Sequence, residues 1–219
     1  MKRNQSGFTL IEIAIVLVII GLLLGGVLKG QELINSAKVK NLATDFKNVP
    51  IYIYGYQDKY KALPGDDPLA VTHVSGVLAT TPTGMQGNGI INGAWDSSTT
   101  TDESYLFWQH IRLAGFGPGS TTPGAADYIP RNAVGGIIGV TNSTANEPII
   151  GLKGTYIVCS ASIPGKFAKQ LDTTLDDGNT ATGSVMVIAP VAPPTTAATA
   201  PLATTSVVDD TPYTVCMGY

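Results

Sequence analysis

The chain is short of the residues that site chemistry usually needs. Among 219 residues there are two histidines and two cysteines, and only 13% are Asp, Glu, Lys or Arg. No Gly-x-x-x-x-Gly-Lys segment occurs, which excludes a P-loop nucleotide site and with it a filament ATPase. Neither His73 nor His110 lies near a cysteine in sequence, so the spacing of a structural zinc site is missing. Nor can a Ser-His-Asp or Cys-His arrangement be built from the spacing. Paired carboxylates do occur, at Asp66-Asp67, Asp176-Asp177 and Asp209-Asp210, but each pair lies beside or one residue from Gly or Pro, where Asp suits turns. A glycosidase would need two of them converging in a cleft. Basic charge is scarce where a nucleic-acid surface would need it. From Ala62 onward five basic residues face twelve acids, a net of −7, which lacks the electrostatic footprint of a nucleic-acid binder. No nucleic-acid partner is expected.

What is present is concentrated at the N-terminus. A leader with Lys2 and Arg3 ends in Gly7, and the 21 residues Phe8 to Leu28 hold a single charge, Glu12. At ~1.5 Å per residue this run spans about 30 Å, one hydrocarbon core. A carboxylate inside such a helix is costly, by ~2.5–3.5 kcal/mol on insertion scales, and is a functional candidate by default. The position of Glu12 makes sense if the chain is cut after Gly7, since the new α-amino group of Phe8 would offer a positive partner about one helical turn away or on a neighbouring subunit. Lys2 and Arg3 hold the leader in the cytoplasm and send the bulk of the chain across the membrane. An ordinary secretory signal has a shorter apolar region of ~7–15 residues and a small-residue cleavage site behind it. No Ala-x-Ala lies just behind Leu28.

The stretch Gly7-Phe8-Thr9-Leu10-Ile11-Glu12 resembles the prepilin signature of type IV pilins and type II secretion pseudopilins. The resemblance is specific over the first ~30 residues. It implies a prepilin peptidase that cuts between Gly7 and Phe8 and methylates the Phe8 amine, and a role for Glu12 in registering subunits within a filament. It also implies a pilin-like α+β fold: a long N-terminal helical spine, its first half transmembrane, packed on a small antiparallel sheet. The expected division is a cleaved leader at 1–7, a membrane or filament-core half of the helix at 8–28, an amphipathic half at 29–61 and a globular head at 62–219.

The pattern along the chain fits that outline. Ile34, Ala37, Leu42, Phe46, Val49, Ile53, Tyr56 and Tyr60 recur at three- and four-residue steps, predicting one helix from Phe8 to Lys61 with a kink at Pro50. Residues 29–61 carry six lysines and three acids, a net of +3. Gly21, Gly25 and Gly26 permit close helix packing in a bilayer. Residues 64–100 read as irregular loop. Asp102 to Gly115 reads as a second helix, with Leu106, Phe107, His110 and Leu113 on its inner side. Strands are expected at 137–140, 149–152, 155–160, 184–189 and 213–217, and a short helix at 166–171. The Pro/Ala/Thr segment 190–205 reads as an exposed loop without a core of its own.

Cys159 and Cys216 both fall in the exported part, where a lone pair is expected to form one disulfide closing a loop of ~57 residues. Two free thiols are the alternative. The same C-terminal region often carries a disulfide in similar pilins. Calcium is the one cofactor with a foothold. Asp172, Asp176 and Asp177, in the segment Leu171 to Asn179, are the best candidate ligands, followed by Gly87 to Gly93; neither fits an EF-hand, and turns satisfied by their own side chains are the plainer reading. Tyr56 and Tyr60 are expected in the core, Tyr52 and Tyr54 at subunit contacts. The sequence therefore points to a filament subunit and not an enzyme. It would assemble with other pilin subunits on an inner-membrane platform after a peptidase has processed it, and serve adhesion, motility or uptake. A secretion pseudopilin is the nearest alternative, and a membrane-anchored ligand-binding module the alternative of another class.

Overall fold

A computed structural model describes residues 9–142 and 146–219. The element order is α1 (Leu10–Tyr60), α2 (Ala70–Val74), α3 (Glu103–Leu113), β1 (Ile138–Asn142), β2 (Tyr156–Pro164), α4 (Gly165–Leu175), β3 (Val185–Ile188) and β4 (Pro212–Gly218), with a 3-10 turn at Thr204–Ser206. The chain divides into two compact units between Lys38 and Val39, so α1 contributes to both.

In the first unit the described residues are helical from Leu10 onward, and every residue from Thr9 to Lys29 is exposed. Leucine, isoleucine and valine supply good to moderate helix propensity, and four glycines (Gly21, Gly25, Gly26, Gly30) do not break the helix. The helix also runs through Pro50. In the second unit α1 is amphipathic. Val39, Leu42, Ala43, Phe46, Val49, Ile53 and Tyr56 are buried at the three- and four-residue steps of one helical face. Ile34 lies outside that stripe and is exposed. Tyr56 is wholly buried, Tyr52 and Tyr60 are partly covered, and Tyr54 is exposed.

The sheet is four-stranded and antiparallel, in the order β1-β2-β4-β3. Its side chains alternate with period two, and both faces are covered. Ile138, Val140, Val158, Ile163, Val185, Val187, Tyr213 and Val215 join the core that includes the α1 stripe, α3 and Phe167 and Leu171 of α4. The opposite face buries Ile157, Cys159, Met186, Ile188 and Cys216 beneath Trp95, Ile149 and Leu152. Gly139 permits this second layer, since a Cβ there would fall 1.7 Å from the Trp95 carbonyl oxygen.

Several expectations need correction. Residues 149–152 form no strand; Ile149 makes an isolated bridge with Thr199 and folds into the second core layer. Leu113 is exposed, while α3 is buried from Glu103 to Arg112 nearly all round. The 64–100 region holds a short helix, α2, at Ala70–Val74. In the 190–205 segment Thr195 is buried: its N–H and hydroxyl both donate to the Asp96 carboxylate, at 2.7 Å each.

Candidate functional site

The first turn of α1 is built around Glu12. The Thr9 carbonyl accepts from Ile13 N–H at 3.4 Å, which makes Thr9 the N-cap. Thr9 N–H and Oγ1–H both donate to Glu12 Oε2, at 2.8 and 2.7 Å, and Glu12 N–H returns a bond to Thr9 Oγ1 at 3.3 Å. This is a reciprocal capping box, satisfying two of the amide groups that a helix start leaves unpaired. The same carboxylate lies at the positive end of the helix dipole. Reading Glu12 only as a partner for an amine overlooked Thr9, although the Thr-x-x-Glu spacing was there to be read. Gly7 and Phe8 lie outside the described residues.

Beyond that turn the helix offers an uncovered apolar surface. Leu10, Ile11, Leu17, Val18, Leu22, Leu23 and Leu28 each expose more than 60% of their area. Gly21, Gly25, Gly26 and Gly30 have no heavy atom within 4 Å of where a Cβ would stand, so another helix can approach the backbone there. Leu10–Tyr60 is long and apolar enough to cross a membrane.

In the head, polar groups serve the framework. Cys159 and Cys216 are disulfide-bonded across directly opposed positions of β2 and β4. Asp66 and Asp67, read from sequence as turn residues, are buried. Asp66 accepts the amides of Gly87, Asn88 and Gly89, at 2.6, 3.2 and 2.7 Å. The 87–93 loop, second of the calcium candidates, thus presents donors to a carboxylate where a cation would need acceptors. Asp67 accepts the Tyr56 hydroxyl at 2.8 Å and pairs with His73 Nδ1 at 2.7 Å. Asp66, Asp67 and His73 border a hollow of about 340 Å³ whose hydroxyls come from Tyr60 and Tyr156, with no serine or cysteine in its lining to act as a nucleophile.

His110 is fully buried. Its Nδ1 accepts Gly65 N–H at 2.9 Å, so Nε2 carries the proton that reaches the Val77 carbonyl at 2.8 Å. Burial lowers its pKa and keeps the ring neutral. Arg112 donates to the carbonyls of Pro118, Ser120 and Tyr128 and lies over the Trp108 and Tyr128 rings. Glu103 Oε2 accepts the Asn92 backbone and side-chain N–H groups, at 2.8 and 2.9 Å, while buried Oε1 has no partner. Burial pushes the Glu103 carboxyl up to about 7, against those two bonds.

Asp172, Asp176 and Asp177 come together at the end of α4, each offering a carboxylate oxygen within 4.8 Å of the others. Burial raises Asp172 to about 6. The cluster is compatible with a hard cation held by oxygen.

The family model for the prokaryotic N-terminal methylation motif matches residues 2–28. No curated protein and no solved structure matches the chain. The motif, followed by an apolar helix, suggests membrane anchoring and a structural subunit processed by prepilin peptidase. Residues 2–28 carry the prepilin-type signature that type IV pilins share with pseudopilins.

Proposed function

We propose that the chain is a subunit of a type IV pilus or a closely related filament. In this reading a prepilin peptidase removes residues 1–7, methylates Phe8 and releases a subunit whose residues 8–28 pack first in the membrane and then in the filament core. Residues 29–61 carry that helix into a head at 62–219, which lies outside the inner membrane. The observation that carries the reading is the methylation motif joined to a helix exposed without interruption from Leu10 to Lys29. So much apolar surface needs cover, and lipid or identical helices supply it.

Glu12 would set the register. Thr9 holds its carboxylate at the start of the helix, where the Phe8 amine of an incoming subunit can reach it. The Cys159–Cys216 bond and the Thr/Ala/Pro-rich segment favour a surface pilus over a periplasmic secretion pseudopilus. Co-expression with and without a prepilin peptidase tests the first step, with intact mass as the readout. Loss of Met1 to Gly7 and a methyl group on Phe8 are expected, followed by this chain in sheared fibres. A chain that keeps its leader beside an active peptidase would defeat the filament reading. A processed chain found only in a secretion apparatus would make it a pseudopilin.

A further inference from the structure

The side of α1 that meets α3 and β1 leaves three polar side chains unmatched. Asp45, Asn48 and Tyr52 follow one another at three- and four-residue steps, so they share one face of the helix, at the edge of its buried stripe. Each is partly buried. None has a hydrogen-bond or ion-pair partner among the described residues. All three border a hollow of about 180 Å³ that lies within the second compact unit. The rest of its wall is mostly apolar, with Val49, Trp108, Ile111 and Ile138 all buried. Polar groups held against such a wall are satisfied by solvent alone, and a ligand that matches them can take the solvent's place.

Two arginines also line the hollow, and they differ. Arg112 is committed to the carbonyls of Pro118, Ser120 and Tyr128. Arg131 is exposed, donates to the Gly135 carbonyl at 2.9 Å and makes no ion pair among the described residues. Asp45 and Arg131 border a second hollow as well, of about 300 Å³, whose lining is Asn41, Thr44, Asn132 and Ala133. An acid and a base thus stand where the apolar hollow meets a polar one, and they do not pair with each other. Burial alone raises the Asp45 carboxyl, to about 6, with no cation beside it to bring it back down.

We propose that this hollow binds a free α-amino acid with a branched aliphatic or phenyl side chain. Asp45 takes the ammonium and Arg131 the carboxylate, both through charge-assisted hydrogen bonds. An amino acid carries the two charges on one carbon, so it bridges groups that the chain holds apart. Asn48 and Tyr52 add neutral donors and acceptors beside them. Charge complementarity selects the zwitterion: a simple anion would meet Asp45, and a simple cation would meet Arg131. Size selects the side chain, since an apolar cavity of about 150 Å³ holds one benzene. A mostly apolar hollow with a few placed polar groups is the usual form of a small-molecule site. The site does not depend on filament assembly, because every group in it belongs to one compact unit.

The test uses the full chain in detergent and measures uptake of L-leucine and L-phenylalanine by titration calorimetry. One ligand per chain is expected, with a dissociation constant of about 1 mM or tighter. Arg131→Gln, at an exposed position, should bind L-leucine about tenfold more weakly, and so should Asp45→Asn. Two analogues separate the roles, since leucinamide keeps only the ammonium and N-acetyl-leucine only the carboxylate. Arg131→Gln should leave the affinity for leucinamide unchanged, and Asp45→Asn that for N-acetyl-leucine. No uptake of either amino acid at about 10 mM, ten times that constant, would overturn the site, as would variants that bind L-leucine like the parent. A variant that loses both analogues alike would overturn the assigned roles. If Asp45→Asn fails to fold, judged by the head's melting temperature, Arg131→Gln and the two analogues decide alone.

Discussion

One helix, α1, lives in two environments. Up to Lys38 its side chains are exposed or only partly covered, and leucine, isoleucine and valine occupy every side of it. From Val39 most apolar residues withdraw to one stripe, Ile51 and Tyr54 staying exposed, and lysines, asparagine and threonine take the other side. The backbone is the same in both halves, so the difference lies in what each half needs around it. The second half finds its cover within its own compact unit; the first half is left uncovered among the described residues, a surface suited to lipid or to other helices. Burial within the chain thus reports on folding in one region, and the lack of it reports on assembly in the other.

The largest effect should fall on the assembly half. Glu12→Ala removes the carboxylate that Thr9 caps and that an incoming Phe8 amine would meet. Processing at Gly7 should remain normal while filament yield collapses, as seen by shearing and immunoblot. The head should melt as in the parent, because the hydrogen bonds of Glu12 among the described residues are to Thr9 in its own first turn. Filaments at parental yield would end the registration role.

Paired substitutions break the comparison most directly. Phe46→Ala removes a side chain 1% exposed in the head core, and its cost should be about 3–5 kcal/mol of head stability. Ile19→Ala, half exposed in the first half of α1, should leave head unfolding in denaturant unchanged while weakening assembly. Equal destabilisation by both changes would mean that the two regions fold as one.

The disulfide comes next. Terminal strands fray unless something ties them down, and β4 lies inside the sheet between β2 and β3, paired along both edges. The ladder therefore carries part of the restraint. Replacing Cys159 and Cys216 together with alanine should cost about 2–3 kcal/mol, the lower part of the usual range, with processing unaffected. Denaturant melts of oxidised and double-alanine chains check this, and mass spectrometry of the non-reduced protein should find no free thiol.

The helix, the four strands and the second helix at 103–113 were legible because periodicity and punctuation are local signals. The motif at the N-terminus was legible because its charge stands alone in an apolar run. What stayed hidden depends on distant partners. Asp66 looks like a turn residue beside Gly65, and only the fold brings the amides of Gly87 to Gly89 to it. Ile149 looks like strand because it is β-branched and flanked by apolar residues, but it serves as cover for Trp95 and the disulfide. The buried faces of α3 escaped a one-sided reading because α3 is wrapped by loops on its outer side. Gln109, for example, accepts Val77 N–H and donates to the Thr121 carbonyl.

The smallest effect sharpens the contrast through pH, since the strongly raised carboxyls of the head have no counterpart in a surface made of aliphatic side chains. Glu103 is held at about 7 and Asp45 at about 6, in both cases by burial. A carboxyl whose folded pKa exceeds its unfolded value binds its proton more tightly when folded. The stability it contributes is complete below the unfolded value, near 4, and is lost as pH rises towards the folded one. Head stability should therefore fall between about pH 4 and pH 7, opposite to the trend set by salt-bridged carboxylates. Glu103→Gln keeps the shape and the acceptor for Asn92 but has no proton to lose. It should match the parent near pH 4 and exceed it by about 2 kcal/mol at pH 8. Denaturant melts at the two pH values measure the difference. A parent that gains stability from pH 4 to pH 8, or a Gln variant with the same slope, would show that water reaches Glu103 and that its buried Oε1 is solvated.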